Sequence, residues 1–432
     1  MEFGKESFNV LVAPMLLFGS YYLIPKSVFA FLASAVHPIA PTVAWFGLAS
    51  LGVWLQKSAI QGRDVKGLIR DRRAKTQNCI PFKNDLMSGK TVVVTGGSAG
   101  LGLEVAAQLL GLGARVIVTG TPAKDGEAAA KKAVEVERKI LDAAIIVMKE
   151  DGVSVSERAE LASKLHYHSL DLGNFDSIST LTAYIKEAHP NIDILVNNAA
   201  VLLPKFTQSK YGPCEDAMFF ANAVGVYYLT ESLLPFLKGS SGNSPRIINV
   251  ASGAHIGIAK PAATPTKGQI LREEPFVVNE FLQNYESQGD GNTIQKSKTY
   301  SSLQIYALSK LVNIFHAQEL AARHQTAIVA MSLHPGGVSS SLFRSYVSIP
   351  DWLMHSVMPL MMKTPRSGAQ TVMYCCLEEG SKLPSGGFYS ECAHRPHGLS
   401  QVARSEVERT SVMDWVAQRV ANIREQQQNS KR

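Results

Sequence analysis

Hydrophobic and polar positions divide the chain into two regimes. Residues 8 to 55 carry almost no charge: an apolar run from Phe8 to Pro25 is followed by Lys26 and then by further apolar residues as far as Leu55. That length exceeds the core of a signal peptide, and no short polar cleavage region ends it. The pattern predicts a membrane anchor over residues 1–56. His37-Pro38-Ile39-Ala40-Pro41 would break a helix, which divides the stretch into residues 8 to 36 and 42 to 55. The second arm is short for a full span, so one span, two spans and a re-entrant hairpin all stay open, beside a buried helical domain.

From Thr91 onward short apolar runs alternate with helical periodicity, the signature of a doubly wound parallel sheet with helices on both faces. Strands are expected at Val92–Val94, Ala114–Val118, Leu165–Leu172, Ile192–Ala200, Arg246–Val250, Ile328–Leu333 and Gly387–Ser390. Between the first two, Leu103, Val105, Ala106, Leu109 and Leu110 recur at helical spacing. Lys124 to Leu161 is charged and alanine-rich, predicting helix interrupted by the apolar Ala143–Met148. Further helices are predicted around Asp216–Leu237, Tyr306–Arg323 and Ser405–Arg424, with a disordered polar tail from Gln426 to Arg432. Residues 257–300 break the rhythm with Pro261, Pro265, Gly268, Pro275, Gly289 and Gly291, as an inserted loop would. The layout is therefore an anchor (1–56), a tether (57–88), a Rossmann-type α/β domain (89–395) carrying the insertion, and a C-terminal helix with its tail (396–432).

Charge refines the first regime. The formal net charge is +7, and Lys57, Arg63, Lys66, Arg70, Arg72, Arg73 and Lys75 crowd the tether, opposed only by Asp64 and Asp71. Without aromatic interleaving or a recognition motif this run does not read as a nucleic-acid surface. Directly after an apolar stretch it reads as the cytosolic flank of a membrane segment. The five cysteines show no paired framework and no metal-ligand spacing, which fits a reduced, cytosol-facing protein. The histidines form no metal cluster either, so no metal site is expected.

The stretch Thr91 to Gly102 reads strand, tight turn, helix. Gly96, Gly100 and Gly102 allow a sharp turn and close approach to a phosphate, while the following helix directs unpaired N–H groups at the anion. Tyr306 and Lys310 stand at i and i+4 on one helix face, where a fixed cation can lower the pKa of a phenol and suit it to proton exchange with a carbonyl or alcohol oxygen. Ser252 ends Ile248-Asn-Val-Ala-Ser252 at the C-terminal edge of a strand, where open α/β sheets place their ligands.

In this order the glycine turn, Asn197-Asn198-Ala199, Asn222, Ser252, Tyr306 and Lys310 resemble the short-chain dehydrogenase/reductase family over about residues 88 to 395. Leu311-Val-Asn313, His334-Pro335-Gly336 and Ser385-Gly-Gly-Phe-Tyr-Ser390 resemble its retinol dehydrogenase-like branch. The resemblance implies that Tyr306 exchanges the proton, Ser252 holds the substrate oxygen, Lys310 binds the nicotinamide ribose and tunes Tyr306, and Asn222 positions Lys310 through a water. It implies a cofactor cradled by Gly96, Ser98, Gly100, Leu101 and Gly102, with Asp171 and Leu172 beside the adenine and Asn198 near the adenosine ribose. Pro335, Gly336 and Val338 fall beside the nicotinamide, and Ser340 near the pyrophosphate. Ala200 and Ala251 depart from the family pattern without removing a reacting group.

Cofactor choice turns on Gly120-Thr121-Pro122, which offers no acid for the ribose hydroxyls of NAD. NADP is favoured, with Thr121 and the nearby cation Lys124 at that end. A membrane-anchored NADP-dependent oxidoreductase follows, interconverting a lipophilic ketone or aldehyde (retinoid, sterol or long-chain lipid) and its alcohol. It would sit at the endoplasmic reticulum or a lipid droplet with its catalytic domain facing the cytosol, and the resemblance makes a homodimer reasonable. The competing reading is a non-enzymatic cofactor-binding scaffold or tether. A transporter fits less well still, because it needs many spans and the apolar sequence is confined to one end.

Overall fold

The computed structural model describes residues 85–150, 158–239, 244–258, 301–339, 342 and 362–431. The predicted anchor, all but the end of the tether, residues 259–300 of the insertion and Ser340 lie outside the described residues. Among the described residues no helix is long and apolar enough to cross a membrane.

The chain alternates through β1 (Thr91–Val94), α1 (Gly100–Gly111), β2 (Arg115–Gly120), α2 (Gly126–Glu150), α3 (Arg158–Ser163), β3 (Leu165–Ser169), α4 (Phe175–Ala188) and β4 (Ile194–Asn197). A small antiparallel hairpin, β5 (Gln208–Ser209) and β6 (Gly212–Asp216), leads into a composite helix α5, built from Ala217–Phe219, a π-helical stretch Phe220–Gly225 and Val226–Leu233. Then come β7 (Arg246–Val250), α6 (Ser302–His324), β8 (Val329–His334), α7 (Pro365–Leu377), β9 (Phe388–Ser390), β10 (Ala393–His394) and α8 (Glu406–Lys431).

Eight strands form one sheet in the order β10-β9-β8-β7-β4-β1-β2-β3. Every pairing is parallel except the short β9–β10 edge. The central strands read as unbroken apolar runs because side chains on both faces are covered. Val93, Ile117, Leu195 and Ile247 point into a core shared with α4, α5, α6 and α8. Val92, Val94, Val116, Val118, Ile194 and Val196 point into the opposite core, shared with α1, α2 and α7. The chain leaves β1 towards β2 and β3, then returns to place β4 on the other side of β1. The connections leaving β1 and β4 therefore lead to opposite faces of the sheet, to α1 and to α5, and leave a crevice at the C-terminal strand edge.

Several expectations change. Ala143–Met148 does not interrupt its helix: α2 runs through it, and Ile140, Ala144, Val147 and Met148 are buried at helical spacing on one face. The tail from Gln426 continues α8 as far as Lys431 instead of being disordered, because Val412, Met413, Val416, Val420 and Ile423 anchor the helix in the core. Helix α7, unforeseen, has Thr364 as N-cap accepting from Ser367 N and a proline in its first turn. Cys375 and Cys376 are buried free thiols, whereas Cys392 is held in a disulfide, so the reading of wholly unpaired cysteines fails there.

Candidate active site

The turn after β1 is shaped by what it cannot accommodate. Gly96 has φ +66° and Gly100 φ +56°, the left-handed region that a side chain disfavours. A Cβ on Gly102 would meet the Gly96 carbonyl oxygen at 2.3 Å and Asn198 Nδ2 at 2.4 Å. Asn198 Nδ2 donates to the carbonyls of Thr95 at 2.8 Å and Gly96 at 3.2 Å, while Thr95 Oγ1 accepts from the backbone N–H groups of Asn198 and Ala199 at 2.9 and 3.0 Å. The loops after β1 and β4 are thus clasped together. The Asn198 amide, expected at the adenosine ribose, spends its donors on this clasp. Thr95 is the half of it that sequence reading missed. Helix α1 begins without a side-chain cap and without an acid in its first turn, so its N-terminal N–H groups stay available to an anion.

On the other side of the crevice, Ser301 and Gln304 form a capping box that starts α6 one turn before Tyr306. Lys310 is 2% exposed and donates from Nζ to the Val250 carbonyl at 2.9 Å. Its ammonium lies 5.8 Å from the centre of the Tyr306 ring. Burial lowers the Lys310 pKa to about 8. Burial also pushes the Tyr306 phenol up to about 12, opposed by the neighbouring Ser252 hydroxyl. In place of the lowering expected from Lys310, desolvation raises the Tyr306 pKa, and the phenol is held protonated. Ser252 Oγ also accepts from Ala254 N at 3.2 Å, and His255 Nδ1 donates to the Ser252 carbonyl at 2.6 Å.

Asn222 sits in the π-helical part of α5, a deformation that concentrates at functional sites. Its side chain accepts from Val201 N at 2.9 Å and donates to Val201 O at 2.8 Å and to Ser309 Oγ at 3.4 Å. It braces α6 beside Lys310 through Ser309, a contact the sequence did not foretell. Beneath it a buried amide network joins Asn197, Thr230, Asn249 and the Asn313 carbonyl, tying β4, α5, β7 and α6 at one depth.

These parts surround a cleft of about 530 Å³. Of the predicted site residues, Gly96, Ser98, Gly100, Leu101, Gly102, Thr121, Asp171, Leu172, Asn198, Asn222, Ser252, Tyr306, Lys310, Pro335, Gly336 and Val338 all line it. Lys124 does not, and Ser340 lies outside the described residues. Asp171 Oδ1 accepts from Gly173 N at 2.8 Å and shapes the wall after β3. Leu202, Leu303 and Leu342 add an apolar wall. Among the described residues no cluster of histidine, cysteine or carboxylate could hold a metal.

The residues fit a dinucleotide. The cradle at Gly102 has no room for a side chain, the α1 N-terminus is uncapped, and Tyr167 Oη, beside the cleft-lining Gly120, is buried with no hydrogen-bond partner among the described residues. At the other end a protonated phenol, a serine hydroxyl and a buried lysine converge.

Comparison with known proteins agrees with this geometry. The short chain dehydrogenase family profile matches residues 90–155 and 142–261. Retinol dehydrogenase 12 of Homo sapiens is 31% identical over 310 residues, covering 72% of this chain and 80% of that protein. Retinol dehydrogenase 11 of Homo sapiens is 30% identical over 307 residues, covering 71% and 78%. Dehydrogenase/reductase SDR family member 13 of Bos taurus is 29% identical over 312 residues, covering 71% and 67%.

Proposed function

From its place in the short-chain dehydrogenase/reductase family, to which this chain belongs and which makes it an NAD(P)-dependent oxidoreductase related to retinol dehydrogenases, we propose that it interconverts a lipophilic ketone or aldehyde and its alcohol, using NADP, through Ser252, Tyr306 and Lys310. The observation that carries this reading is the convergence of Ser252, Tyr306 and Lys310 on one cleft, with the Lys310 ammonium, fixed by the Val250 carbonyl, 5.8 Å from the Tyr306 ring centre. Bound nicotinamide supplies the hydride for the carbonyl carbon in reduction and takes it up in oxidation. The protein handles the oxygen. Ser252 Oγ–H holds the carbonyl oxygen, and Tyr306, protonated across the neutral range, delivers the proton that turns the developing alkoxide into an alcohol. Lys310, with a pKa lowered to about 8, stabilises the phenolate left behind until a proton returns. Asn222 positions Lys310 by bracing Ser309.

The lipophilic substrate class rests on the apolar wall of Leu202, Leu303 and Leu342 and on the relatives' names. Anchoring through residues 8–55 rests on their near lack of charge and the basic run that follows them. An active site held at a bilayer meets an apolar substrate where that substrate concentrates. An endoplasmic reticulum or lipid-droplet membrane and a homodimer complete the reading. NADP over NAD rests on the acid-free end of β2.

The test is oxidation of NADPH and of NADH by the membrane-bound protein against retinal, a sterol ketone and a long-chain aldehyde, beside Tyr306→Phe. Turnover should prefer NADPH and fall at least about a thousandfold in the variant, with cofactor binding kept. Full turnover in Tyr306→Phe would refute the assignment of the proton donor.

A further inference from the structure

We propose that Lys132, a residue of α2 remote in sequence from the glycine turn, supplies the cation that recognises the adenosine 2′-phosphate of NADP. This rests on the NADP reading above and names the side chain responsible for it. In a doubly wound fold the ribose hydroxyls lie at the end of the second strand, where an acid selects NAD and a cation accommodates the phosphate. Here that end is Gly120-Thr121-Pro122, without an acid. Lys132 Nζ reaches it from α2, donating to Thr121 O at 2.6 Å and to Thr121 Oγ1 at 3.0 Å. Thr121 lines the cleft. The ammonium is therefore held one hydrogen bond from the cleft wall by two contacts on an uncharged residue.

A second observation marks the same place as an anion site. A Cβ on Gly120 would lie 3.0 Å from both Ser98 Oγ and Tyr167 Oη. Tyr167 Oη is a buried phenol with no hydrogen-bond partner among the described residues. A buried hydroxyl without a partner is costly, so a phosphate oxygen brought beside Gly120 would gain by reaching it. The cleft-lining hydroxyls of Ser98 and Thr121 with the ammonium of Lys132 thus form a donor set around Gly120 and Thr121 suited to a phosphate, and the Tyr167 hydroxyl lies next to it. An ammonium carries three donors, so Lys132 keeps one for the ligand while holding Thr121, and can turn further towards it. Neither Lys124 nor Lys132 lines the cleft itself, but Lys124 is exposed and makes no hydrogen bond to Thr121 among the described residues, whereas Lys132 is fixed to that cleft-lining residue by two contacts.

The experiment titrates the full-length protein with NADPH, NADH and the fragment 2′,5′-ADP, following bound-nicotinamide fluorescence and competition, in the native protein and in Lys132→Ala, Lys132→Arg and Lys124→Ala. Thermal unfolding of each variant reports whether it is folded. Lys132→Ala is expected to weaken NADPH and 2′,5′-ADP about tenfold, the scale of one charge-assisted contact, and to leave NADH within about twofold. Lys132→Arg should keep most of the preference. The inference is overturned by a folded Lys132→Ala that loses NADPH and NADH equally or neither, or by selective loss of NADPH in Lys124→Ala instead. A native protein that does not prefer NADPH sinks the NADP reading itself, before any variant is compared.

Discussion

Replacing Lys310 by methionine should make the protein more stable at neutral pH while removing its activity. The ammonium is enclosed, with the Val250 carbonyl at 2.9 Å as its partner, and its pKa stands at about 8 against 10.5 for the free side chain. At about 1.4 kcal/mol for each tenfold, holding that charge in the fold at pH 7 costs about 3 kcal/mol. Methionine has similar length and no charge, so the substitution removes this cost, and loss of the hydrogen bond to Val250 takes back about 1–2 kcal/mol. The net expectation is a gain of about 1–2 kcal/mol at pH 7. The sign of the pH dependence follows from where protons bind. Between about 8 and 10.5 the unfolded chain still carries a proton on Lys310 that the folded protein has lost, so native stability rises with pH across that window. The advantage of the variant should therefore shrink by about 2 kcal/mol between pH 7 and pH 10 and reverse in sign. Urea unfolding of both proteins at pH 7, 8.5 and 10 measures it. A variant less stable than the native protein at pH 7, or a difference that does not change between pH 8 and 10, would refute the account.

Two further substitutions probe the scaffold. In Gly102→Ala the new methyl group would lie 2.3 Å from the Gly96 carbonyl oxygen, so the turn must shift; cofactor affinity should fall at least about tenfold and stability by about 1–3 kcal/mol, and an unchanged cofactor titration would contradict the cradle. Arg419 of α8 pairs with Glu215, whose side chain is 7% exposed, and donates to the Tyr211 carbonyl at 3.1 Å. Arg419→Met should cost about 3 kcal/mol in urea unfolding by leaving a buried carboxylate without its partner, whereas a loss under about 0.5 kcal/mol would mean that water already serves Glu215.

What was legible in the sequence was whatever local spacing determines. Strand β7 runs from Arg246 to Val250, the residues expected, because its apolar run is bounded by polar ends. Tyr306 and Lys310 share a helix face by arithmetic alone. The illegible parts depend on partners far along the chain. Nothing near Thr95 announces its clasp with Asn198, 103 residues on. Nothing near Thr121 announces Lys132, which only the packing of α2 brings back to the strand end. Ala143–Met148 is apolar enough for either element, and burial of one helical face decided it. The Tyr306 pKa differs from expectation for a related reason: the cation beside it was visible in the sequence, but the enclosure that raises the phenol was not.

Helix α8 shares a core with α6, contributing Val412, Met413, Val416, Val420 and Ile423 beside Leu308, Leu311 and Phe315. Gln318 of α6 donates to the Ala403 carbonyl at 3.0 Å, and Arg409 pairs with Glu319. The segment carrying Tyr306 and Lys310 is therefore finished by residues that leave the ribosome well after it. Until they emerge, α6 presents an uncovered apolar face to the cell, and a nascent chain can hold every reacting group and still lack the support that sets them in place. A stop codon shortly before Glu406 would give a polypeptide with an intact active-site sequence and the solubility of a folding intermediate.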